Sequence, residues 1–296
     1  MLLVPHSSNG SDVPSHGTPN LDIESANVRK GVKMKISPAT KRRWNWKVYF
    51  ILLAAAIFST IAVLPYSLDL QSEALTQTDI PTLIASQIIQ RGITYAILIL
   101  LGMILMKRIG LSAPILDSVT KGESASGTLR GVLPISIVLG VVATLLIIGL
   151  DFIFQPLLLK ELGDKADALK QVAQPAAWKG FLASFYGGIA EEILLRLFGM
   201  SLLAWLGSFI SRTPDGKPTS AIFWIANLLA AILFGLGHLS AMSLILPLTT
   251  LVVIRTVLLN SIGGIIFGWL YQTRGLESAM IAHFTADIVL HVLLAL

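Results

Sequence analysis

The chain has 296 residues, 54% hydrophobic and 13% charged, with a mean hydropathy of +0.75, which is far more apolar than an ordinary soluble domain. It has no cysteine, which excludes disulfides, Cys-ligated zinc, iron–sulfur clusters and a thiol nucleophile and leaves the redox compartment undetermined. The net charge of +5 is concentrated between Arg29 and Lys47, beside Trp44 and Trp46; this pattern fits a cytoplasmic juxtamembrane anchor at an anionic leaflet, and no nucleic-acid partner is expected.

Continuous apolar runs near the spanning length call for helices, because a lipid-exposed backbone must satisfy its own hydrogen bonds, whereas a β-barrel would show short alternating segments. The expected fold class is therefore all-α, a polytopic transmembrane helical bundle of about seven or eight spans. Three regions follow. Residues 1–43 form a polar, basic arm expected to be disordered, 44–179 hold three spans and an amphipathic connector, and 180–296 carry the chemistry.

In chain order, the arm is not a signal peptide: its charges lie far from the start and no small-residue cleavage site follows the first apolar segment. The first span is Val48 to Leu64, ended by Pro65, and the loop after it carries Asp69, Glu73 and Asp79 without Lys or Arg. The second runs from Leu83 to Met106 and closes on Lys107 and Arg108, which returns the chain to the cytoplasm. Arg91, near one end of this span, reads as a snorkelling side chain. Leu111 to Arg130 is a polar cytoplasmic connector, Gly131 to Phe154 the third span, and Gln155 to Lys179 an amphipathic surface helix.

Phe181 to Ile210 is the next span. Within it Gly187 to Arg196 read Gly-Gly-Ile-Ala-Glu-Glu-Ile-Leu-Leu-Arg, where each charge costs roughly 2.5 to 3.5 kcal/mol on insertion scales. On a helix Glu192 can pair with Arg196 at i+4 while Glu191 faces a different neighbour, so one carboxylate is neutralised and the other left available. The bland reading is an ion pair that only fixes packing; the second glutamate points to chemistry. A Pro/Gly turn at Ser211 to Pro218 follows, then the span Ser220 to Leu239, which contains a second intramembrane polar group, His238.

Leu244 to Tyr271 is longer than one bilayer crossing needs and is expected to be either one tilted helix or two short ones, with Pro247, Arg255 and Asn260 favouring a break or a polar lining. Gly264 and Gly268 form a small-xxx-small step for close helix contact. The last helix, Leu276 to Leu296, carries Glu277, His283, Asp287 and His291, and no internal repeat of the transporter kind is visible.

His283 and Asp287 are four apart, so the carboxylate can orient the imidazole. Together with Glu191, Glu192, Arg196 and His238 on two other helices they require a shared, water-bearing cavity. In such a cavity a glutamate and a histidine can act as general base and acid while a second histidine and an aspartic side chain stabilise an oxyanion. Rival hydrolase motifs fail: there is no His-Glu-x-x-His, and Gly199-Met200-Ser201-Leu202 lacks the setting of a serine nucleophile.

Glu191-Glu192-x-x-x-Arg196, Phe234-x-x-x-His238 and His283-x-x-x-Asp287 resemble, in order and spacing, the motif set of the CPBP family of intramembrane proteases, which includes type II CAAX prenyl endopeptidases and bacteriocin-processing relatives. The resemblance covers about residues 180 to 290 and includes the approach Gly268 to Gly275. It implies an all-helical peptidase in which Glu191 and His238 activate a water, and His283 with Asp287 forms the oxyanion site. Many members carry Asn at the last position; an ionised Asp would repel an oxyanion, so Asp287 must be protonated or serve to orient His283. Although members were named metalloproteases, two histidines and a glutamate on separate helices do not establish zinc, and no cofactor is assigned.

The expected function is hydrolysis of a peptide bond in a membrane-associated protein or peptide, with the lipid bilayer as the surrounding partner. Two other classes use the same residues: a proton- or cation-coupled transporter, and an idle scaffold in which the polar groups only pack helices. Convergence discriminates, since a protease needs its groups around one water in a cavity with a closed bottom, whereas a transporter strings them along a path. The charge pattern places the amino terminus in the cytoplasm and starts the Glu191 helix on the opposite face.

Overall fold

A computed structural model describes residues 44–71, 79–163 and 175–296. The disorder expected for residues 1–43 and most of the surface helix expected after Gly163 fall outside the described residues. Asn45–Leu296 form one compact unit, and apart from one isolated bridge at Arg212 and Pro218 the described residues hold only helices and their connections.

The elements are α1 (Trp46–Ala62), α2 (Leu64–Leu70), α3 (Ile80–Arg108), α4 (Pro114–Thr120), α5 (Ser126–Leu162), α6 (Ala177–Phe185), α7 (Ser201–Gly207), α8 (Ser220–Gly237), α9 (Leu239–Met242), α10 (Thr250–Arg274) and α11 (Leu276–His291). Between α6 and α7 the helix does not stop but widens into two π-helical stretches, Tyr186–Glu191 and Ile193–Met200. Residues 177–207 are therefore one continuous run, called here the glutamate helix. Among the described residues six other helical segments are long and apolar enough to cross a membrane. Large apolar side chains such as Phe50, Ile89, Leu145, Phe152 and Ile225 stand exposed around them, as lipid-facing surfaces require. The protein is a multi-pass integral membrane protein.

Three expectations need correction. The third span does not end at Phe154: α5 continues to Leu162, because Leu158 and Leu162 are buried against Leu246 and Val252, so Gln155 to Leu162 belongs to the spanning helix and not to a surface helix. Leu244 to Tyr271 is neither one helix nor two. Residues 243–249 form a loop around Pro247, and a single helix starts at Thr250, its first turn capped by Thr249 Oγ1 accepting from Val252 N–H at 3.3 Å. Arg91 is not a snorkelling terminus. It lies about 16 Å along α3 at 1.5 Å per residue, and its guanidinium stacks over the Tyr186 ring at 5.4 Å.

The two ends of the bundle are tied separately. At the end where α1 begins, Asn45 donates to Thr120 Oγ1 at 2.8 Å, Leu276 N–H to Ser112 O at 3.1 Å, and Leu116 N–H to Glu277 Oε1 at 2.8 Å; Gly110 lies against the Lys217 side chain. At the other end Tyr66 meets His291 at 3.4 Å and Lys179 pairs with Asp69.

Glycines let α11 sit closely among its neighbours. A Cβ on Gly140 of α5 would strike Ala282 and Thr285, one on Gly180 would strike His291, and one on Gly188 would strike Phe284 and Met280. The expected Gly264 and Gly268 step likewise packs on α8, against Ala231 and Asn227. Arg255, expected to mark a polar break, is held within the bundle by Asp151 at 2.7 Å.

Candidate active site

The glutamate helix passes beside α11, and its π-helical pitch surrounds the two carboxylates. Such local widening is frequent at functional sites. Glu192 and Arg196 are 0% and 1% exposed and meet at 2.9 Å between Oε1 and Nη1, a contact with ion-pair distance but without hydrogen-bond alignment. Arg196 also donates through Nη2 to Gly264 O at 3.0 Å and lies over the rings of Phe234 and Phe267 at 5.0 and 5.6 Å. The second oxygen of Glu192 has no hydrogen-bond partner.

The same Oε1 of Glu192 accepts from His283 Nδ1 at 2.8 Å. One buried carboxylate thus joins the arginine of its own helix to the imidazole of α11. His283 is 6% exposed and stacks on Phe267 at 4.6 Å with 21° between the ring planes. Its other nitrogen, Nε2, faces Glu191 Oε2 and Asp287 Oδ1, each at 3.7 Å. The orienting contact expected from Asp287 is made by Glu192, and Asp287 stands beyond hydrogen-bond reach.

Asp287 and His283 press against Gly187: a Cβ there would reach Asp287 Oδ2 and come within 3.0 Å of His283 Nε2. The first glycine of the Gly187 to Arg196 run is thus the space into which the α11 pair packs, a role that sequence spacing does not disclose.

His238 sits at the C-cap of α8. The His238 backbone N–H bonds Gly235 O at 3.2 Å, and the imidazole Nδ1 bonds the Phe234 carbonyl at 2.9 Å. In the neutral tautomer that donates Nδ1–H there, Nε2 carries the lone pair.

These groups meet around one cavity of about 710 Å³, lined by Glu191, His238, His283, Asp287, Tyr186 and Arg91 among others. A second, largely apolar cavity of about 450 Å³ lies between the glutamate helix and α8, against Leu194, Phe198 and Leu233, and meets the first at Tyr186, Glu191, Phe234 and His238. Leu194 and Leu233 are exposed on its outer side, so it opens laterally toward lipid. Of the six site residues named from the sequence, Glu191, His238, His283 and Asp287 line the large cavity, while Glu192 and Arg196 lie behind it. Sequence reasoning missed Arg91, Tyr186, Tyr66 and His291 as lining groups. A positive charge well inside an apolar run was the available signal for Arg91.

Ser201 of the rejected serine motif is fully buried, bonded to Tyr271 Oη at 2.8 Å, and lines neither cavity. Among the described residues no three His, Asp or Glu side chains converge as a metal-binding group. His283 Nδ1 is already committed to Glu192. No step below passes through a metal.

Fold and site together define a polytopic helical membrane protein with a Glu/His/Asp cavity backed by the buried Arg196. Residues 173–289 match the family model described as type II CAAX prenyl endopeptidase Rce1-like, which bears out the family resemblance of the three motifs. No curated protein and no solved structure matches the chain. The matched family is one of proteases.

Proposed function

We propose that the protein is an intramembrane endopeptidase that hydrolyses a peptide bond of a membrane-associated protein or peptide with a water activated by Glu191 and His238. The observation that carries this reading is the convergence of Glu191, His238, His283 and Asp287 on one cavity. That cavity is backed on the side of the glutamate helix by the buried Arg196–Glu192 pair and the Ser201–Tyr271 hydrogen bond.

A water between Glu191 and His238 Nε2 would find two acceptors for its two protons, which aims an oxygen lone pair at a substrate carbonyl. As the C–O bond forms, Glu191 takes the proton, acting as general base. The developing oxyanion is met by His283 Nε2. For Nε2 to donate while Nδ1–H is held by Glu192, the ring carries both protons, and Glu192 and Glu191 balance that charge. As the C–N bond breaks, the proton on Glu191 passes to the leaving amine, so the products are a new carboxyl terminus and a free amine. The lateral apolar cavity supplies a route by which a lipid-embedded segment reaches Glu191.

The reading is tested by mass spectrometry of membrane-derived peptides from cells carrying the wild type or Glu191→Ala. Fragments present only with the wild type are expected, and identical peptide sets would contradict an endopeptidase.

A further inference from the structure

The large cavity is open at one end of the bundle, and the distribution of charge says which side of the membrane that end faces. Its rim is built from Tyr66, Gln71, Ser240, Leu244 and His291. These lie where α2 ends, in the 238–249 connection and at the end of α11. The Tyr66–His291 contact and the packing of Leu246 on Leu158 and Leu162 hold these segments at one end of the bundle. The connections at the opposite end, at residues 109–125, 208–219 and 275, contribute nothing to the lining.

Lys107, Arg108, Lys121, Arg212, Lys217 and Arg274 lie at this opposite end, which the Asn45–Thr120, Leu276–Ser112 and Gly110–Lys217 contacts hold together. The sequence between α5 and α6 and its flanks adds Lys160, Lys165, Lys170 and Lys179 at the rim end, interleaved with Glu161, Asp164 and Asp167, and Lys179 pairs with Asp69. Short connections rich in Lys and Arg stay in the cytoplasm, and acidic residues contribute little to this bias. The bias is carried by several separate connections, so it does not depend on the amino-terminal arm.

We infer that the mouth of the active cavity opens on the non-cytoplasmic face of the membrane, and that the substrate presents its scissile segment from that face, as an exported or membrane-inserted peptide and not as a cytoplasmic tail. The substrate half of this inference rests on the endopeptidase reading; the sidedness half rests on fold and charge alone. The large cavity has its aqueous mouth at that end and the smaller one opens on lipid, so neither gives a soluble cytoplasmic chain a watery path to Glu191.

The chain has no native thiol, which makes the test direct. Ser240→Cys places a thiol on the exposed rim and Ser211→Cys one in the exposed connection at the opposite end. Each full-length variant is expressed in bacterial spheroplasts and treated with a membrane-impermeant maleimide before and after permeabilisation. Ser240→Cys is expected to label fully in intact spheroplasts, and Ser211→Cys only after permeabilisation. Label on Ser211→Cys in intact spheroplasts, or label on Ser240→Cys only after permeabilisation, overturns the proposal. The fragments lost in Glu191→Ala cells should map to segments on the outer side, and a set of cytoplasmic tails overturns the substrate half. If the labelling is as expected while no fragment depends on Glu191, the endopeptidase reading fails and the sidedness stands.

Discussion

His283 is held by Glu192 and not by the aspartate of its own helix: Nδ1 lies 2.8 Å from Glu192 Oε1, whereas Nε2 stands 3.7 Å from Asp287 Oδ1. Because the same Glu192 oxygen also meets Arg196 at 2.9 Å, a single buried carboxylate transmits the position of one helix to the imidazole of another. We read Arg196 as a positioning residue that lies behind the cavity wall of Phe234, Phe267 and His283.

Arg196→Ala strands Glu192 in a fully buried setting. Loss of one partner of such a pair costs roughly 3 to 5 kcal/mol, so the variant is expected to lose folded yield and thermal midpoint together with activity, as read by size-exclusion profile and melting in detergent. A variant that folds and melts like the wild type yet does not turn over would assign Arg196 a chemical role.

Gly187→Ala puts a methyl group where Asp287 and His283 now pack. Helical Gly→Ala is otherwise favourable by about 0.5 to 1 kcal/mol, and Gly149→Ala, with nothing within 4 Å of the added carbon, is the control. Gly149→Ala should keep or raise the melting point and leave turnover unaltered, while Gly187→Ala should lower turnover by pushing the α11 pair off its position. Equal turnover for both would show that the close approach at Gly187 has no catalytic consequence.

Much of this arrangement is legible in the sequence. The apolar runs gave the spanning helices because length and hydropathy suffice for that, and the i+4 spacing gave the Glu192–Arg196 pair. The extension of α5 to Leu162 was hidden because Lys160 and Glu161 read as surface charge, although Leu158 and Leu162 beside them are buried. The loop at 243–249 could have been read from Pro247 followed by the capping Thr249, had the apolar run not masked it. The π-helical pitch leaves the hydrophobic pattern unchanged, so nothing in the sequence announces it. The Glu192–His283 bond joins residues 91 positions apart, a contact that spacing on one helix cannot reveal. For the same reason the orienting role was expected of Asp287.

Asp287→Asn keeps the shape of the side chain against Gly187 and places the residue common among resembling sequences there. It is expected to keep turnover within about tenfold of the wild type, whereas Asp287→Ala, which empties the space and removes a polar group facing Nε2, should lose about 10²-fold or more, the scale of one oxyanion donor. Steady-state kinetics on both variants checks this. If Asp287→Asn were as inactive as Glu191→Ala, the carboxylate would be taking part in proton transfer.

The most direct measurement is turnover of an identified peptide by the purified protein in lipid nanodiscs, comparing the wild type with Glu191→Gln, His238→Ala, His283→Ala and their combinations. Loss of general acid–base help costs about 10²- to 10⁴-fold, so each single change should lower kcat by at least about 10²-fold with helical content intact. Combining the changes should cost little more than the worst single one, because the groups act as a unit. Retention of near-wild-type kcat by Glu191→Gln, or independent multiplicative losses across the three positions, would contradict a water activated at this cavity.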